Sequence, residues 1–410
     1  MVRAAIFLTI LSFGFNQGWY HNGLQTDVIR LSDFFCGYLL LESLGRSRPG
    51  RPVGRWIAVL GTLFLLWGFA GYLGSVYNSK FWRQWLDVLR SLLTFTALAR
   101  SFDTERRLMT GVWALATLAG LEAVIGLLQW KFGALGLGSF GFETYGGGRV
   151  SGTFVHPNMM GTFMAGVLPL LSPFVLDKNR HFGGFAISVM LVVAGLVLTF
   201  SRTGWAAGFA GVCVVMFFAV LSRRAAPAAL MMAVLAMGAS AGFLVLKYPD
   251  MILARIETAA SEVDTDHPAS RLSLALEAIE MIEERPITGI GMGNYEDEVW
   301  NQFNLRTHTT YLYVAAETGL IGFLLYIMIP LGIFFCALRD RWSRNDNAAR
   351  LAIGVLGALT AIGIASLTDL SPWADATILQ FFWTLLALGV ASHRLALEHD
   401  ETTHESMAAA

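Results

Sequence analysis

Charged residues are scarce in this chain of 410 residues. Lys, Arg, Asp and Glu together make up 14% of it, whereas hydrophobic residues make up 55%. Soluble domains usually carry about 25% charged residues, so this composition excludes a chain that covers an ordinary water-facing surface. Apolar runs recur from end to end, and the sequence therefore predicts an all-α, polytopic membrane protein surrounded by membrane lipids.

Cysteine is rare as well, and the net charge is close to zero. Cys36, Cys213 and Cys336 all fall inside apolar stretches, a pattern that indicates neither a disulfide framework nor a metal site. A formal net charge of -1 offers no basic surface for nucleic acid, so no nucleic-acid partner is expected.

About twelve apolar segments are long enough, or nearly long enough, to cross a bilayer. One crossing takes roughly 20 mostly apolar residues. The first, preceded by Met-Val-Arg, has features of a signal peptide, but no convincing cleavage site follows, so a retained helix is predicted. The predicted spans lie near residues 4–18, 31–45, 55–76, 83–100, 108–131, 158–176, 184–201, 204–222, 227–247, 311–338, 350–370 and 375–393.

Arginine and lysine concentrate in every even-numbered connection between these spans, and short cytoplasmic loops of membrane proteins show that enrichment. Both termini are therefore predicted inside, with the odd connections outside. The resulting organisation has N-terminal transmembrane helices (1–130), central transmembrane helices with periplasmic loops (131–247), a large periplasmic loop (248–310), C-terminal transmembrane helices (311–394) and a cytoplasmic tail (395–410).

The large loop contains one amphipathic segment, residues 271–284. Its apolar residues recur at a spacing of three and four, which predicts a helix, with Asp266 as the N-cap and Pro286 as the terminator. The apolar stripe would let this helix lie on the membrane surface or roof the bundle. It consists of Leu272, Ala275, Leu276, Ile279 and Ile282.

Two arginines stand at predicted outward positions. Arg202 lies in a tight turn, residues 199–204, between two apolar spans, and Arg271 begins the loop helix. A guanidinium group binds phosphate oxygens bidentately, so both positions indicate an anionic ligand. The alternatives are an interfacial anchor for Arg202 and a solvated surface charge for Arg271.

Three further residues are possible participants in chemistry. His308 precedes the tenth span, where an imidazole near its free pKa suits a general base, although a cap or a headgroup contact explains such a histidine equally simply. His156, before the sixth span, carries the same ambiguity. Glu317 is an acid inside the tenth span and so a functional candidate, but no partner for it is evident in the sequence.

Two short patterns carry less information. Residues 289–293, Gly-Ile-Gly-Met-Gly, resemble part of a nucleotide-binding loop, but they follow a helix and Pro286 rather than a strand, so a tight chain reversal is predicted. Asp264 and Asp266 resemble the metal-binding pair of nucleotide-sugar glycosyltransferases. Helix capping explains Asp266 more simply, and no metal or cofactor is expected.

Together these segments resemble the O-antigen ligase and polymerase family. The resemblance rests on residues 151–158 (SGTFVHPN), 201–204 (SRTG), the run from Arg271 through residues 291–295 (GMGNY), and His308 followed by residues 317–322 (ETGLIG). It covers most of residues 150–330, whereas residues 1–130 match only as hydrophobic helices. Thr309 stands where the family usually has Asn.

The resemblance implies a membrane glycosyltransferase at the periplasmic face of the inner membrane. Such an enzyme moves a glycan from undecaprenyl diphosphate to a sugar hydroxyl of lipid A-core, with Arg202 and Arg271 binding the diphosphate and His308 catalytic. A polymerase would use the same donor and a second lipid-linked glycan. A protein O-oligosaccharyltransferase and a flippase for lipid-linked glycan are further alternatives.

Overall fold

A computed structural model describes residues 1–15, 30–44, 54–72, 78–133, 148–175, 182–225, 270–297, 299–301, 305–370, 373 and 375–408. Across these ranges the regular structure is helical, with no strand. The α-helices are α1 (Val2–Leu11), α2 (Leu31–Leu44), α3 (Arg55–Tyr72), α4 (Asn78–Ser101), α5 (Glu105–Phe132), α6 (Pro157–Leu171), α7 (Phe182–Leu198), α8 (Arg202–Leu221), α9 (Arg271–Glu284), α10 (Thr310–Asp340), α11 (Asp346–Thr368) and α12 (Ala376–Ala408).

The helices confirm the all-α membrane class, while the number of spans stays a prediction. Eleven of the predicted spans coincide with a helix, and the ninth, near 227–247, lies outside the described residues. In the described part of the chain, six helices are long and apolar enough to cross a membrane, namely α3, α5, α8, α10, α11 and α12. The count of about twelve and the periplasmic location of the large loop are not established by these helices.

Helix α11 lies at the centre of the bundle, packed against α6, α8, α10 and α12. Small residues let its neighbours approach closely: a Cβ on Gly211 of α8 would lie 2.7 Å from the carbonyl oxygen of Gly357, and one on Gly354 would lie 2.6 Å from that of Leu170. Helix association within a bilayer depends on such packing because lipid tails are as apolar as the side chains. The middle of α11 is therefore packed closely against α6 and α8.

Helices α8 and α11 contact each other at both of their ends. Arg224, in the eighth connection, pairs with Asp346 at the start of α11, with 2.5 Å between Nη1 and Oδ1. At the other end of the same two helices, the hydroxyls of Thr203 and Thr368 lie 2.7 Å apart. Antiparallel α8 and α11 thus place the Arg224–Asp346 pair at one end and the predicted site at the other.

Helix α9 corrects one prediction about its own start. Ser270, not Asp266, is the N-cap: its hydroxyl accepts the Ser273 amide at 3.1 Å. Ser270 caps the helix because it immediately precedes the first turn, where a short side-chain oxygen reaches the free amides. The face buried on the bundle consists of Leu274, Glu277, Ala278 and Met281, whereas the predicted stripe is largely on the outside, with Leu272, Leu276 and Ile279 exposed.

Helix α10 is interrupted at Gly319, which has φ 68° and ψ 178°. The break leaves backbone groups of α10 without partners in the helix, and the segment that follows α9 forms hydrogen bonds with them. Ile290 N donates to Ala316 O at 2.9 Å, Gly291 N to Glu317 O at 3.0 Å, and Leu320 N to Pro286 O at 2.8 Å. Non-helical backbone inside a membrane protein is tolerated where the protein satisfies it in this way.

Candidate functional site

The C-terminal end of α11 brings together segments that are far apart in the sequence. Thr203, next to Arg202, contacts the Thr368 hydroxyl at 2.7 Å. Arg271 donates from Nη1 to the Thr368 carbonyl oxygen at 3.4 Å. The start of α9, through Arg271, and the start of α8, through the neighbour of Arg202, therefore meet at the last residue of α11.

The segment that carries His308 is tied to the same helix end. Thr309 Oγ1 donates to the Ser366 carbonyl oxygen at 3.3 Å, and Thr310 Oγ1 donates to that of Asp369 at 2.8 Å. His308 itself is exposed, while Thr310 is buried. Arg271 and the immediate neighbours of Arg202 and His308 thus bond to the end of α11. Residues 366–369 and the three segments bonded to them are called the α11 cluster below.

Helix ends give this cluster its electrostatic character. Three helices begin there: α8 after its N-cap Ser201, α9 after Ser270, and α10 after Thr309. The first turn of each helix carries amides without intrahelical partners and a partial positive charge. With two guanidinium groups added, the surroundings favour a phosphate or another anion.

Arg149 is a cation in the same region that the sequence did not single out. Its Nε donates to the Thr199 carbonyl oxygen at 3.0 Å, and its Nη2 donates to Asn158 Oδ1 at 2.7 Å. It thereby links the start of α6 to the turn before Arg202. The signal was present in the sequence, because Arg149 is a cation in a predicted outward segment, where cations are disfavoured.

His156 serves as the N-cap of α6. Its Nδ1 accepts the Asn158 amide at 3.1 Å, which matches the capping alternative. The preceding residues are held by two polar side chains of α5. The Glu122 carboxyl, which is 2% exposed, accepts the amide and the hydroxyl of Thr153 at 2.8 and 2.6 Å, and Gln129 bonds both backbone groups of Gly152. This network fixes the backbone of the SGTFVHPN segment.

Glu317 has partners that the sequence could not reveal. One carboxyl oxygen accepts the Gly293 amide at 2.8 Å and the Tyr295 amide at 3.4 Å, and the other accepts the Trp373 indole at 3.0 Å. The side chain is 1% exposed. Its bonds join α10, the glycine-rich segment and Trp373, between α11 and α12, so the structure supports an anchoring role for this carboxyl.

The glycine-rich segment forms the predicted chain reversal. Gly289, Gly291 and Gly293 have φ values of 70°, 100° and 75°, a region that glycine adopts without strain. Next to it, Tyr295 stacks on Tyr313 with 4.4 Å between ring centroids and donates its hydroxyl to Leu274 O at 3.3 Å. Burial raises the pKa of Tyr295, so the phenol stays neutral and joins α9 to α10.

Of the other charged residues in the large loop, some have contacts in the structure and some lie outside the described residues. Arg306 forms an ion pair with Glu296, and Arg285 lies over the Trp300 ring at 5.7 Å. Arg255, Asp264 and Asp266 lie outside the described residues, so the structure gives no contact for them. Among the residues that it does describe, no three metal-ligating side chains lie together.

Ser366, Thr368 and Asp369 are site residues that the sequence reading missed. Asp369 is 7% exposed and follows α11 directly. The available signal was a run of polar residues, Ser-Leu-Thr-Asp, at the end of an otherwise apolar span. These residues frame the cluster because α11 is the central helix, which no local pattern indicates.

The fold and the cluster describe a multi-pass helical membrane protein with a cationic polar site at one end. A family model described as O-antigen ligase matches residues 187–327, about a third of the chain. The match contains Arg202, Arg271, His308 and Glu317, so this part of the chain is similar to O-antigen ligases. No curated protein matches the chain.

Proposed function

We propose that this protein is an O-antigen ligase, a glycosyltransferase that moves a glycan from undecaprenyl diphosphate to a sugar hydroxyl of lipid A-core. The reaction takes place at the periplasmic face of the inner membrane, where both lipid-anchored substrates are accessible. The observation that carries the proposal is that Arg271 and the immediate neighbours of Arg202 and His308, namely Thr203 and Thr309, all bond to the end of α11. A cationic site beside a base suits a diphosphate leaving group and a hydroxyl nucleophile.

Arg202 and Arg271 stabilise the diphosphate. Negative charge grows on the bridging oxygen as the glycosidic bond to phosphate breaks, and preorganised cations lower the energy of that state. The starts of α8, α9 and α10 add amide dipoles of the same sign. The guanidinium groups supply this stabilisation directly, so the proposed reaction is metal-independent.

His308 acts as the general base. It takes the proton of the acceptor hydroxyl while the hydroxyl oxygen attacks the anomeric carbon. The carbon–oxygen bond to the diphosphate breaks, and undecaprenyl diphosphate leaves with the electron pair. A single displacement of this kind inverts the anomeric configuration, which NMR of the product would reveal. A retained configuration would contradict the proposed step.

One reconstitution separates the ligase from the polymerase. Purified protein in liposomes receives the lipid-linked glycan donor together with lipid A-core, and in a parallel reaction the donor alone. A ligase transfers glycan to lipid A-core, and in the reaction without lipid A-core it leaves the donor unchanged. Longer lipid-linked glycans in the second reaction indicate a polymerase, and movement of intact donor between leaflets indicates a flippase.

The same liposomes test His308. His308→Ala removes the base, so we expect transfer to fall by roughly 10² to 10⁴-fold, the usual loss when acid–base catalysis is removed, while donor binding persists. His156→Ala is the matched control, because His156 caps α6 and its loss affects stability rather than chemistry. Normal transfer by His308→Ala, with transfer lost in His156→Ala, would exchange the two roles.

A further inference from the structure

The end of the bundle opposite the α11 cluster carries a group of arginines where α8 and α10 finish. Asp340, the last residue of α10, lies 2.9 Å from His393 Nδ1 through its Oδ2. Asp346, the first residue of α11, is paired with Arg224 at 2.5 Å. Neither acid is therefore left to neutralise the other arginines of this surface, which are Arg223, Arg339, Arg341 and Arg344.

Arg341 is held in place by two aromatic rings. Its guanidinium carbon lies 5.1 Å from the centre of the Phe218 ring, on α8, and 5.2 Å from the centre of the Trp342 ring. The ring quadrupole attracts a guanidinium group, so both rings position it without using its hydrogen-bond donors. Its Nε is buried and has no hydrogen-bond partner among the described residues. The protein thus fixes this cation without satisfying it, an arrangement that suits an external oxyanion.

Apolar surface adjoins this cation. Trp342 is 54% exposed, and exposed tryptophans are typical of the boundary between a membrane and water. Before it along the chain, Phe335, Leu331 and Met328 form an exposed apolar stripe on α10 at a helical spacing of three and four. Leu221, the last residue of α8, is exposed as well. An oxyanion bound to Arg341 would therefore lie at the edge of a surface that faces hydrocarbon.

We propose that Arg341, with the Phe218 and Trp342 rings that hold it, binds the headgroup of an anionic phospholipid; these three residues are called the Arg341 site below. The guanidinium group donates to a phosphate oxygen of the headgroup. A lipid fits better than a soluble phosphate because apolar surface adjoins the cation. A zwitterionic headgroup would add a further cation beside arginines that lack acids of their own. The charges of the loops predict that this end faces the cytoplasm, where the leaflet is anionic.

A headgroup at the Arg341 site would lie where two helices of the candidate functional site meet again. Phe218 belongs to α8 and Arg341 directly follows α10, so a ligand of Arg341 lies at the ends of both helices. At the opposite end, α8 begins with Arg202 and α10 with Thr310. A ligand that binds the folded protein and not the unfolded chain stabilises the fold, so the lipid should stabilise this pair of helices.

Native mass spectrometry of retained lipid tests the Arg341 site. Purified protein in detergent receives equal amounts of phosphatidylglycerol and phosphatidylethanolamine with the same acyl chains, and we expect wild type to retain phosphatidylglycerol preferentially. Arg341→Ala should lower this preference by roughly fivefold, which corresponds to about 1 kcal/mol for one basic side chain at an anionic surface. Arg106→Ala is the matched control. Arg106 is exposed and lies at the same end of the bundle, since its neighbour Glu105 accepts the Asn347 side-chain amide at 2.6 Å.

Three results would overturn the proposal: no preference in wild type, an equal loss in Arg341→Ala and Arg106→Ala, or displacement of the lipid by excess glycerol phosphate, which would indicate a site for soluble phosphate. If Arg341→Ala aggregates, Trp342→Ala gives the same test, because it removes one of the rings that hold the guanidinium group from an exposed position. Retention unchanged in Trp342→Ala would then refute the site. These measurements need neither donor nor acceptor, so their outcome is independent of glycan transfer.

Discussion

Gly319 is a position where the addition of a single methyl group should strongly lower the stability of the fold. Its φ of 68° and ψ of 178° lie in a region that is essentially restricted to glycine. A Cβ there would stand 2.0 Å from the Ile287 carbonyl oxygen and 2.8 Å from the Gly289 amide nitrogen. Both contacts are with backbone, which cannot move aside as a flexible side chain would. Gly319→Ala must therefore displace the segment that closes the break in α10.

The size of the effect follows from what the break holds together. The unfavourable backbone conformation costs on the order of 1–3 kcal/mol for a residue with a side chain. Displacing residues 286–291 also sacrifices three backbone hydrogen bonds, each worth about 0.5–1.5 kcal/mol net. The total, roughly 3–7 kcal/mol, is comparable with the whole stability of many domains, about 5–15 kcal/mol.

Thermal unfolding in detergent, followed by tryptophan fluorescence and checked by size-exclusion chromatography, measures this loss. Gly120→Ala in α5 is the control, because a Cβ there meets only Leu191 Cδ1 at an ordinary 3.6 Å. We expect the control to unfold near the wild-type temperature and Gly319→Ala to unfold far below it or to aggregate. If the two variants melt together, the broken helix and its pairing with the glycine-rich segment are wrong.

Three further outcomes are expected. Arg202→Lys and Arg271→Lys should each transfer glycan poorly, because lysine keeps the charge but loses the bidentate fork; the measurement is kcat/KM in liposomes. Excess EDTA should leave transfer unchanged, and Asp264→Ala should remain active, because the arginines supply the charge stabilisation. Glu317→Gln should lose about 1–3 kcal/mol of unfolding free energy, since its amide opposes the Trp373 indole donor, and adding Trp373→Phe should recover part of that loss.

Each outcome has a clear opposite. If Arg202→Lys and Arg271→Lys both keep the wild-type kcat/KM, the two arginines act only as surface charges and do not bind the diphosphate bidentately. Activity abolished by EDTA and restored by Mg²⁺ or Mn²⁺ would give Asp264 and Asp266 a catalytic role. If Trp373→Phe adds its own loss to that of Glu317→Gln instead of offsetting it, the carboxyl–indole bond does not carry the energy assigned to it.

The candidate site shows what local sequence patterns can identify and what they cannot. Local patterns singled out Arg202 in a turn between two apolar spans, Arg271 at the start of the loop helix and His308 before the tenth span, and only the family resemblance gave them a common role. Local patterns could not show that the starts of α8, α9 and α10, which are distant along the chain, come together at Ser366 and Thr368. Long-range contacts of this kind depend on helix packing, which has no local signature.

The amino-acid sequence by itself determined the membrane class and the positions of most helices, because both follow from transfer of apolar residues out of water over a stretch of about 20 residues. Only the tertiary structure decided which helix is central, that Ser270 rather than Asp266 caps α9, and what Glu317 binds. Glu317 illustrates the reason. A buried carboxyl must find donors wherever packing supplies them, and here they come from Gly293, Tyr295 and Trp373, which reach it only when the chain folds back over the break at Gly319.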